Sequence, residues 1–117
     1  MDEDRARQLV ARERHRIEAA LADLSADDRD DNESRLDQTG ESEESGADLQ
    51  IQMTDDAVAA GLRDELAAVE RAEARIAERT YGRSIESGVR IPDARLEAQP
   101  LAERTVEEQG RYERGRG

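Results

Sequence analysis

The sequence contains no cysteine, tryptophan, phenylalanine or lysine, and these absences exclude several classes of protein. Without cysteine, neither a disulfide nor thiol chemistry is available. Aromatic residues make up 2% of the 117 residues and hydrophobic residues 35%, which is too little for a sizeable core. We also see no signal peptide and no apolar run long enough to span a bilayer, so we expect a cytoplasmic protein that does not contact membranes.

The charge balance is strongly acidic, with a formal net charge of −12. Because a nucleic-acid duplex is itself a polyanion that is bound through cations, this balance disfavours direct DNA binding. Charged residues make up 41% of the chain, a proportion typical of extended helical or disordered proteins. Such a chain can hardly build a pocket that excludes water and shifts the pKa of catalytic groups, so we do not expect an enzyme.

Apolar residues recur every seven positions in two parts of the chain, as Val10, Ile17 and Leu24 and again as Leu62, Val69 and Ile76. This spacing predicts one helix from about Asp4 to Leu24 and a second that starts between Ala47 and Asp55 and ends near Arg79. Each apolar stripe is narrow and suits a single partner helix. The fold class is therefore all-α, an antiparallel helical hairpin of the coiled-coil kind over residues 1–80.

Residues 25–46 differ from both helices, since they are rich in acidic side chains and contain one large apolar residue, Leu36. A segment of this composition cannot bury itself, and we interpret it as a mobile, acidic connector. It places an acidic tip on the hairpin at about residues 26–48. Within the second helix, Arg71 and Arg75 lie four residues apart and are expected to repel each other.

The helical pattern ends at residue 81, where two glycines and both prolines of the chain impose turns. The segment reads Tyr81-Gly82-Arg83-Ser84-Ile85-Glu86-Ser87-Gly88, then Ile91-Pro92, Arg95-Leu96-Glu97-Ala98-Gln99-Pro100 and Thr105-Val106-Glu107-Glu108. It resembles the C-terminal module of the DksA/TraR family. There, a Tyr-Gly-x-Cys-x-x-Cys-Gly turn, an Ile-Pro-x-x-Arg-Leu-Glu-Ala-x-Pro segment and a Cys-x-x-Cys pair build a four-cysteine zinc finger. The other interpretation is a generic loop punctuated by glycine and proline.

The resemblance departs from the family at the metal site. Laid over the motif residue by residue, the four zinc-ligand positions hold Ser84, Ser87, Thr105 and Glu108. Structural zinc takes cysteine or histidine ligands, so we expect a degenerate zinc-finger-like module over residues 81–109 with no zinc and no other cofactor. In place of the metal, we expect packing against the end of the second helix by Ile85, Val89, Ile91, Leu96 and Leu101. Residues 110–117 are predicted to be a disordered tail.

The resemblance also implies a function. Members of the family bind bacterial RNA polymerase directly, without contacting DNA, and insert the hairpin into the secondary channel so that acidic tip residues approach the active centre. It therefore implies a monomeric transcription regulator. Family members often carry a pair of acidic residues just before the second helix. Counting back from Ser84 without gaps places that pair on Glu41 and Glu44, whereas the motif context favours Asp48. The alternative is a coiled-coil interaction or structural protein unrelated to transcription, since narrow stripes alone suit pairing with another helix.

Overall fold

The computed structural model describes the backbone of residues 1–37 and 45–116 and the side chains of residues 1–26 and 54–115. Within these ranges there is no β-strand, and a single β-bridge joins Arg83 and Arg90. None of the helices described is long and apolar enough to cross a membrane. The described residues form four helices: α1 Glu3–Asp37, α2 Ser45–Glu78, α3 Asp93–Ala98 and α4 Val106–Arg116. The predicted all-α helical hairpin is confirmed.

Helix α1 continues well past Leu24, where the sequence predicts that it ends. The acidic run from residue 27 to residue 34, which we expected in a mobile connector, is helical as far as Asp37. Its composition prevents burial but does not prevent helix formation, and neither glycine nor proline interrupts the chain before Gly40. Helix α2 starts at Ser45, just before the predicted window, and ends at Glu78 as expected near Arg79.

The chain divides into two compact units, residues 1–14 with 68–117 and residues 15–67. In the second unit, Ile17 is completely buried, and Arg16 Nη2 forms an ion pair with Glu65 Oε1 at 3.5 Å. The first unit contains the first turns of α1, the last turns of α2 and the C-terminal module. This division differs from the predicted boundary after residue 80, because the ends of both long helices pack with the module.

The core of the first unit is small and comes from three parts of the chain. Arg14 of α1 forms two hydrogen bonds with Glu73 of α2, at 2.7 and 3.0 Å, and these helices run antiparallel. The buried apolar residues are Ala6, Leu9 and Val10 from α1, Val69, Ala72 and Ile76 from α2, and Ile91 and Leu96 from the module. The predicted stripes supply Val10, Val69 and Ile76 of this core.

The module buries fewer apolar residues than predicted. Ile91 is 1% exposed, whereas Ile85 is 50% and Val89 51% exposed. Both exposed side chains lie in a tight turn, closed by hydrogen bonds from Gly88 N to Ser84 O at 2.9 Å and from Ser84 N to Val89 O at 2.8 Å. The expectation for Ile85 and Val89 was wrong, because so short a turn directs its side chains outward with no second layer to cover them.

The predicted disordered tail is helical, since α4 extends to Arg116. Two contacts hold its first turns. Gln109 Nε2 donates a hydrogen bond to Glu113 Oε1 at 3.1 Å, one helical turn along. The guanidinium carbon of Arg104 lies 3.8 Å from the centre of the Tyr112 ring, a cation–π contact that joins the preceding loop to the helix.

The two isoleucines of the module allow a matched test of this core. Replacing Ile91 by Ala removes a fully buried side chain and should lower the free energy of unfolding by about 2–5 kcal/mol. Ile85→Ala makes the same chemical change at a half-exposed position and should cost about 1 kcal/mol or less. Urea unfolding followed by circular dichroism measures both; equal losses would contradict the described packing.

Candidate functional site

The four residues that the motif assigns to the zinc-ligand positions form one hydrogen-bonded cluster. Ser84 and Ser87 lie in the turn that follows α2, and Thr105 and Glu108 lie at the start of α4. The hydroxyl of Ser87 donates a hydrogen bond to Glu108 Oε2 at 2.6 Å, which joins the two halves of the module. Ser84 and Glu108 are the buried polar residues of the described chain, each 5% exposed.

Thr105 and Glu108 cap the N-terminus of α4. Glu108 Oε1 accepts a hydrogen bond from the backbone N–H of Thr105 at 2.9 Å, and Thr105 Oγ1 accepts one from the backbone N–H of Glu108 at 3.2 Å. This reciprocal pair is a capping box, in which a threonine and a glutamate three residues later satisfy each other's backbone donors. The carboxylate also lies at the positive end of the helix dipole.

The two serines stabilise the turn that faces this cap. Ser84 Oγ accepts hydrogen bonds from the backbone N–H groups of Glu86 at 3.1 Å and Ser87 at 3.2 Å. Ser87 Oγ accepts one from the N–H of Val89 at 3.4 Å while it donates to Glu108. Gly88 completes the turn with a φ of 76°, a left-handed conformation that favours glycine. Each hydroxyl thus supports local backbone as well as the cluster.

These contacts lower the pKa of Glu108 to about 2, so its side chain is ionised at neutral pH. The hydrogen bond from the Ser87 side chain contributes most, followed by the backbone N–H of Thr105 and the side chain of Ser84. Burial opposes the shift and is outweighed. A carboxylate with several donors aimed at it is stabilised in its charged form.

This donor set does not fit a structural zinc ion. Zinc in such sites is held by thiolates and imidazoles, whereas here three hydroxyls and one carboxylate are already engaged with each other and with backbone N–H groups. Across the described residues, no group of three or more His, Cys, Asp or Glu side chains is placed to hold a metal ion. We propose that hydrogen bonds to the Glu108 carboxylate hold the module together without zinc.

A second charged cluster attaches the module to α2. The carboxylate of Glu103 accepts hydrogen bonds from Arg71 Nε at 3.1 Å and Arg75 Nη1 at 3.0 Å, while its backbone oxygen accepts one from the N–H of Ile85 at 2.9 Å. Burial raises the pKa of Glu103, but the hydrogen bond and charge of Arg71 and the charges of Arg75 and Arg104 outweigh it and lower the pKa. Spacing within α2 predicted repulsion between the two arginines. Their shared partner Glu103 lies 32 residues from Arg71 and 28 from Arg75, so no local pattern in the sequence indicates it.

Tyr81 and Gly82 connect the beginning of the module to its middle. The Tyr81 hydroxyl donates a hydrogen bond to the backbone oxygen of Pro100 at 2.8 Å, and burial raises the pKa of Tyr81 to about 12. Gly82 has a φ of 87°, and a Cβ there would lie 3.5 Å from Leu96 Cδ1. The Tyr-Gly and Leu-Glu-Ala-x-Pro parts of the sequence motif therefore meet in space.

The side chains of the predicted tip residues fall outside the described part of the chain. Glu41 and Glu44 lie outside the described residues. Asp48 lies in the first turns of α2, and its side chain is outside the described part. The assignment of these three carboxylates to the tip stays a prediction.

Comparison with known proteins tests the resemblance. No family model and no curated protein matches the chain. The structure of the transcription factor DksA2 from Pseudomonas aeruginosa matches with a TM-score of 0.81 at 23% identity, over 98% of this chain and 86% of that one. This chain has the fold of DksA2. The predicted resemblance to the DksA/TraR family is thus confirmed at the level of the fold. The structure of the RNA polymerase binding protein and transcriptional regulator Dks from Chlamydia trachomatis L2 matches with a TM-score of 0.48 at 26% identity, over 98% of this chain and 93% of that one.

The pKa of Glu108 predicts how stability depends on pH. Because this pKa is lower in the folded protein than its ordinary value of 4.5, the stabilisation is fully present above pH 4.5 and is lost as the pH falls towards about 2. Glu108→Gln should lower the melting temperature at pH 7, and its difference from the wild type should shrink between pH 4.5 and pH 2. Glu107→Gln, which removes the same charge from an exposed neighbour, should change the melting temperature little. A pH-independent difference for Glu108→Gln would contradict the described contacts.

The convergence of the four positions predicts that a zinc site can be restored. We expect the wild-type protein to contain no stoichiometric zinc and to unfold identically with and without a chelator. The quadruple variant Ser84→Cys, Ser87→Cys, Thr105→Cys and Glu108→Cys should bind one equivalent, because four thiolates then surround one point. Its melting temperature should depend strongly on chelator, since structural zinc contributes on the order of 10 kcal/mol to small fingers. Elemental analysis measures the metal, and one equivalent in the wild type would contradict this proposal.

Proposed function

We propose that this protein binds RNA polymerase and regulates transcription, with its helical hairpin in the secondary channel of the enzyme. The observation that carries the proposal is the likeness of fold to the transcription factor DksA2 over nearly the whole chain. The sequence motif of residues 81–109 supports it independently, because the hydrogen bond from Tyr81 to Pro100 gives that motif a structural role.

The length of the two long helices suits insertion into a channel. Helices α1 and α2 contain 35 and 34 residues, which corresponds to about 50 Å each at 1.5 Å per residue. In the proposed complex, their junction carries carboxylates to the bottom of a narrow channel, where a metal ion or a basic loop can attract them. Glu41, Glu44 and Asp48 are the proposed tip residues.

The charge of the chain suits a protein partner better than DNA. With a net charge of −12, the chain is repelled by a duplex but is attracted to a basic channel entrance, and this attraction raises the rate of association. We propose that the protein acts as a monomer, without enzymatic activity of its own and without direct contact with DNA.

The alternative, a coiled-coil protein that pairs with another chain, requires an apolar stripe that is free for a partner. In the described residues, four members of the predicted stripes are already buried within the chain: Val10, Ile17, Val69 and Ile76. Val58 is about half exposed, and it is one residue rather than a stripe. The packing therefore favours the hairpin as a self-contained unit.

Pull-down of core RNA polymerase, followed by transcription in vitro, tests the proposal. The wild-type protein should bind the polymerase and alter transcription. The variant Glu41→Ala, Glu44→Ala, Asp48→Ala should still bind but should lose most of its effect on transcription, because the tip acts on the active centre while the stem and the module dock. The matched control removes the same charge from exposed positions of α2, as Asp56→Ala, Asp64→Ala and Glu70→Ala. It should behave like the wild type.

Failure to bind core polymerase would overturn the proposed function. Normal binding with equal effects of the tip variant and the control would overturn the role of the three tip residues alone. Elution as a dimer in size-exclusion chromatography with light scattering would favour the coiled-coil alternative.

A further inference from the structure

The turn at the start of the C-terminal module has an open backbone edge at Arg90. Arg83 and Arg90 are the partners of the β-bridge, and backbone hydrogen bonds between their neighbours flank it on both sides, at 2.7 and 2.8 Å. Arg83 and Arg90 are therefore a non-hydrogen-bonded pair, whose own N–H and C=O groups point away from each other. The N–H of Arg83 is engaged with the backbone oxygen of Thr80 at 3.3 Å, whereas both backbone groups of Arg90 lack a hydrogen bond with the described residues.

This Arg90 edge can accept a further strand. Backbone N–H and C=O groups without a protein partner pair with water or with an extended peptide that lies alongside them. Val89, the preceding residue, is 51% exposed, and in an extended segment its side chain lies on the opposite face from that of Arg90. The edge therefore offers two free backbone groups, a cation on one face and an apolar side chain on the other.

Positive charge is concentrated on one face of the edge. In a non-hydrogen-bonded pair the Cα atoms are about 4.5 Å apart and the side chains share one face, and like charges at this spacing destabilise the pair. Arg79 joins Arg83 and Arg90 in the lining of one cavity, which has a volume of about 310 Å³ and no carboxylate among its described lining residues. All three arginines are exposed, and none forms an ion pair with the described residues.

Arg79 also occupies a backbone position that favours glycine. Its φ is 62°, and it directly follows the last residue of α2, where a left-handed residue is usually glycine. An arginine at this position sacrifices some stability. Arginines elsewhere in the same unit have carboxylate partners; these are Arg5, Arg14, Arg71 and Arg75. The lack of carboxylate partners is therefore a local feature of the surface beside the edge.

We propose that the Arg90 edge binds an extended acidic segment of a partner protein, which adds to it as a β-strand. The backbone of the segment pairs with the N–H and C=O of Arg90. Its acidic side chains lie on the face of Arg83 and Arg90, and the intervening apolar side chains cover Val89. In such complexes the backbone hydrogen bonds supply affinity and alternate side chains supply specificity. Pairing of carboxylates with guanidinium groups also relieves the repulsion between the two arginines.

The acidic character of the whole chain is compatible with an acidic partner. The net charge is −12, but exposed charges more than a Debye length apart, about 8 Å at physiological ionic strength, are largely screened from each other. A short segment at the edge therefore interacts mainly with the local charge, which is that of the three arginines. A nucleic acid could meet these charges as well, but it has no peptide backbone to pair with the edge.

A second copy of the chain is a poor occupant of the same edge. Pairing of two Arg90 edges would bring two arginine pairs together, and like charges across a strand pair destabilise it. Charged side chains on an open edge are a common protection against such self-association. The arginines therefore disfavour a complex between copies and select an acidic strand.

Fluorescence anisotropy with a labelled peptide of alternating glutamate and valine tests the proposal. The wild-type protein should bind the peptide, and binding should weaken as the salt concentration rises because the charges are screened. Arg83→Gln and Arg90→Gln should each weaken binding by roughly tenfold or more, as expected for the loss of charge-assisted hydrogen bonds. Arg63→Gln removes the same charge from an exposed position of α2 that does not line the cavity and should leave binding unchanged.

Methylation of single backbone nitrogens of the peptide separates strand addition from simple attraction between charges. In an antiparallel ladder, alternate residues of a strand direct their N–H groups towards the neighbouring strand. Methylation at one set of alternate residues should therefore abolish binding, whereas methylation at the other set should be tolerated. The charge of the peptide is the same throughout, so this alternation cannot come from electrostatic attraction alone.

Four results would overturn the proposal: no binding at millimolar peptide, equal weakening by Arg63→Gln, equal effects of methylation at every position, or tighter binding of a single-stranded oligonucleotide of the same charge. The last result would assign the arginines to nucleic acid. The proposal does not rest on polymerase binding, which the pull-down measures separately.

Discussion

The Glu108 carboxylate accepts hydrogen bonds from both halves of the C-terminal module, and we propose that the association of these halves depends on it. Ser87, in the turn after α2, donates a hydrogen bond through its hydroxyl, and Thr105, at the start of α4, donates one through its backbone N–H. In a zinc finger, a metal ion performs this task by binding four thiolates around one point. Here the central group is a carboxylate, and hydrogen-bond donors surround it.

Stabilisation by hydrogen bonds to a carboxylate suits a chain with few apolar residues. In the module, only Ile91 and Leu96 are among the buried apolar side chains of the described residues, too few to hold a structure of this size alone. Hydrogen bonds and ion pairs supply the remaining stabilisation of the module. Glu103 bridges Arg71 and Arg75, which would otherwise repel each other, and Tyr81 reaches the backbone of Pro100. Polar groups that are satisfied in this way fix one arrangement of the chain, because each has few alternative partners.

Most of the described residues satisfy local conformational preferences, and three arginines of the C-terminal unit do not. The capping box, the glycines with positive φ at Gly82 and Gly88 and the heptad stripes all agree with the fold. Arg79 and the opposed Arg83 and Arg90 do not agree with it, and all three line one cavity.

The sequence by itself determined the helical hairpin, because a seven-residue repeat of apolar side chains specifies which face of each helix is buried. It also predicted which four residues correspond to the zinc-ligand positions, since their order and spacing follow a known motif. Tertiary structure decided what those residues do. Ser87 and Glu108 are 21 positions apart, and no local pattern shows that one donates to the other. It also decided that Ile91 is buried while Ile85 is exposed, and that α1 continues to Asp37. Burial depends on which elements cover a residue, and this is a property of the folded chain rather than of the residue itself.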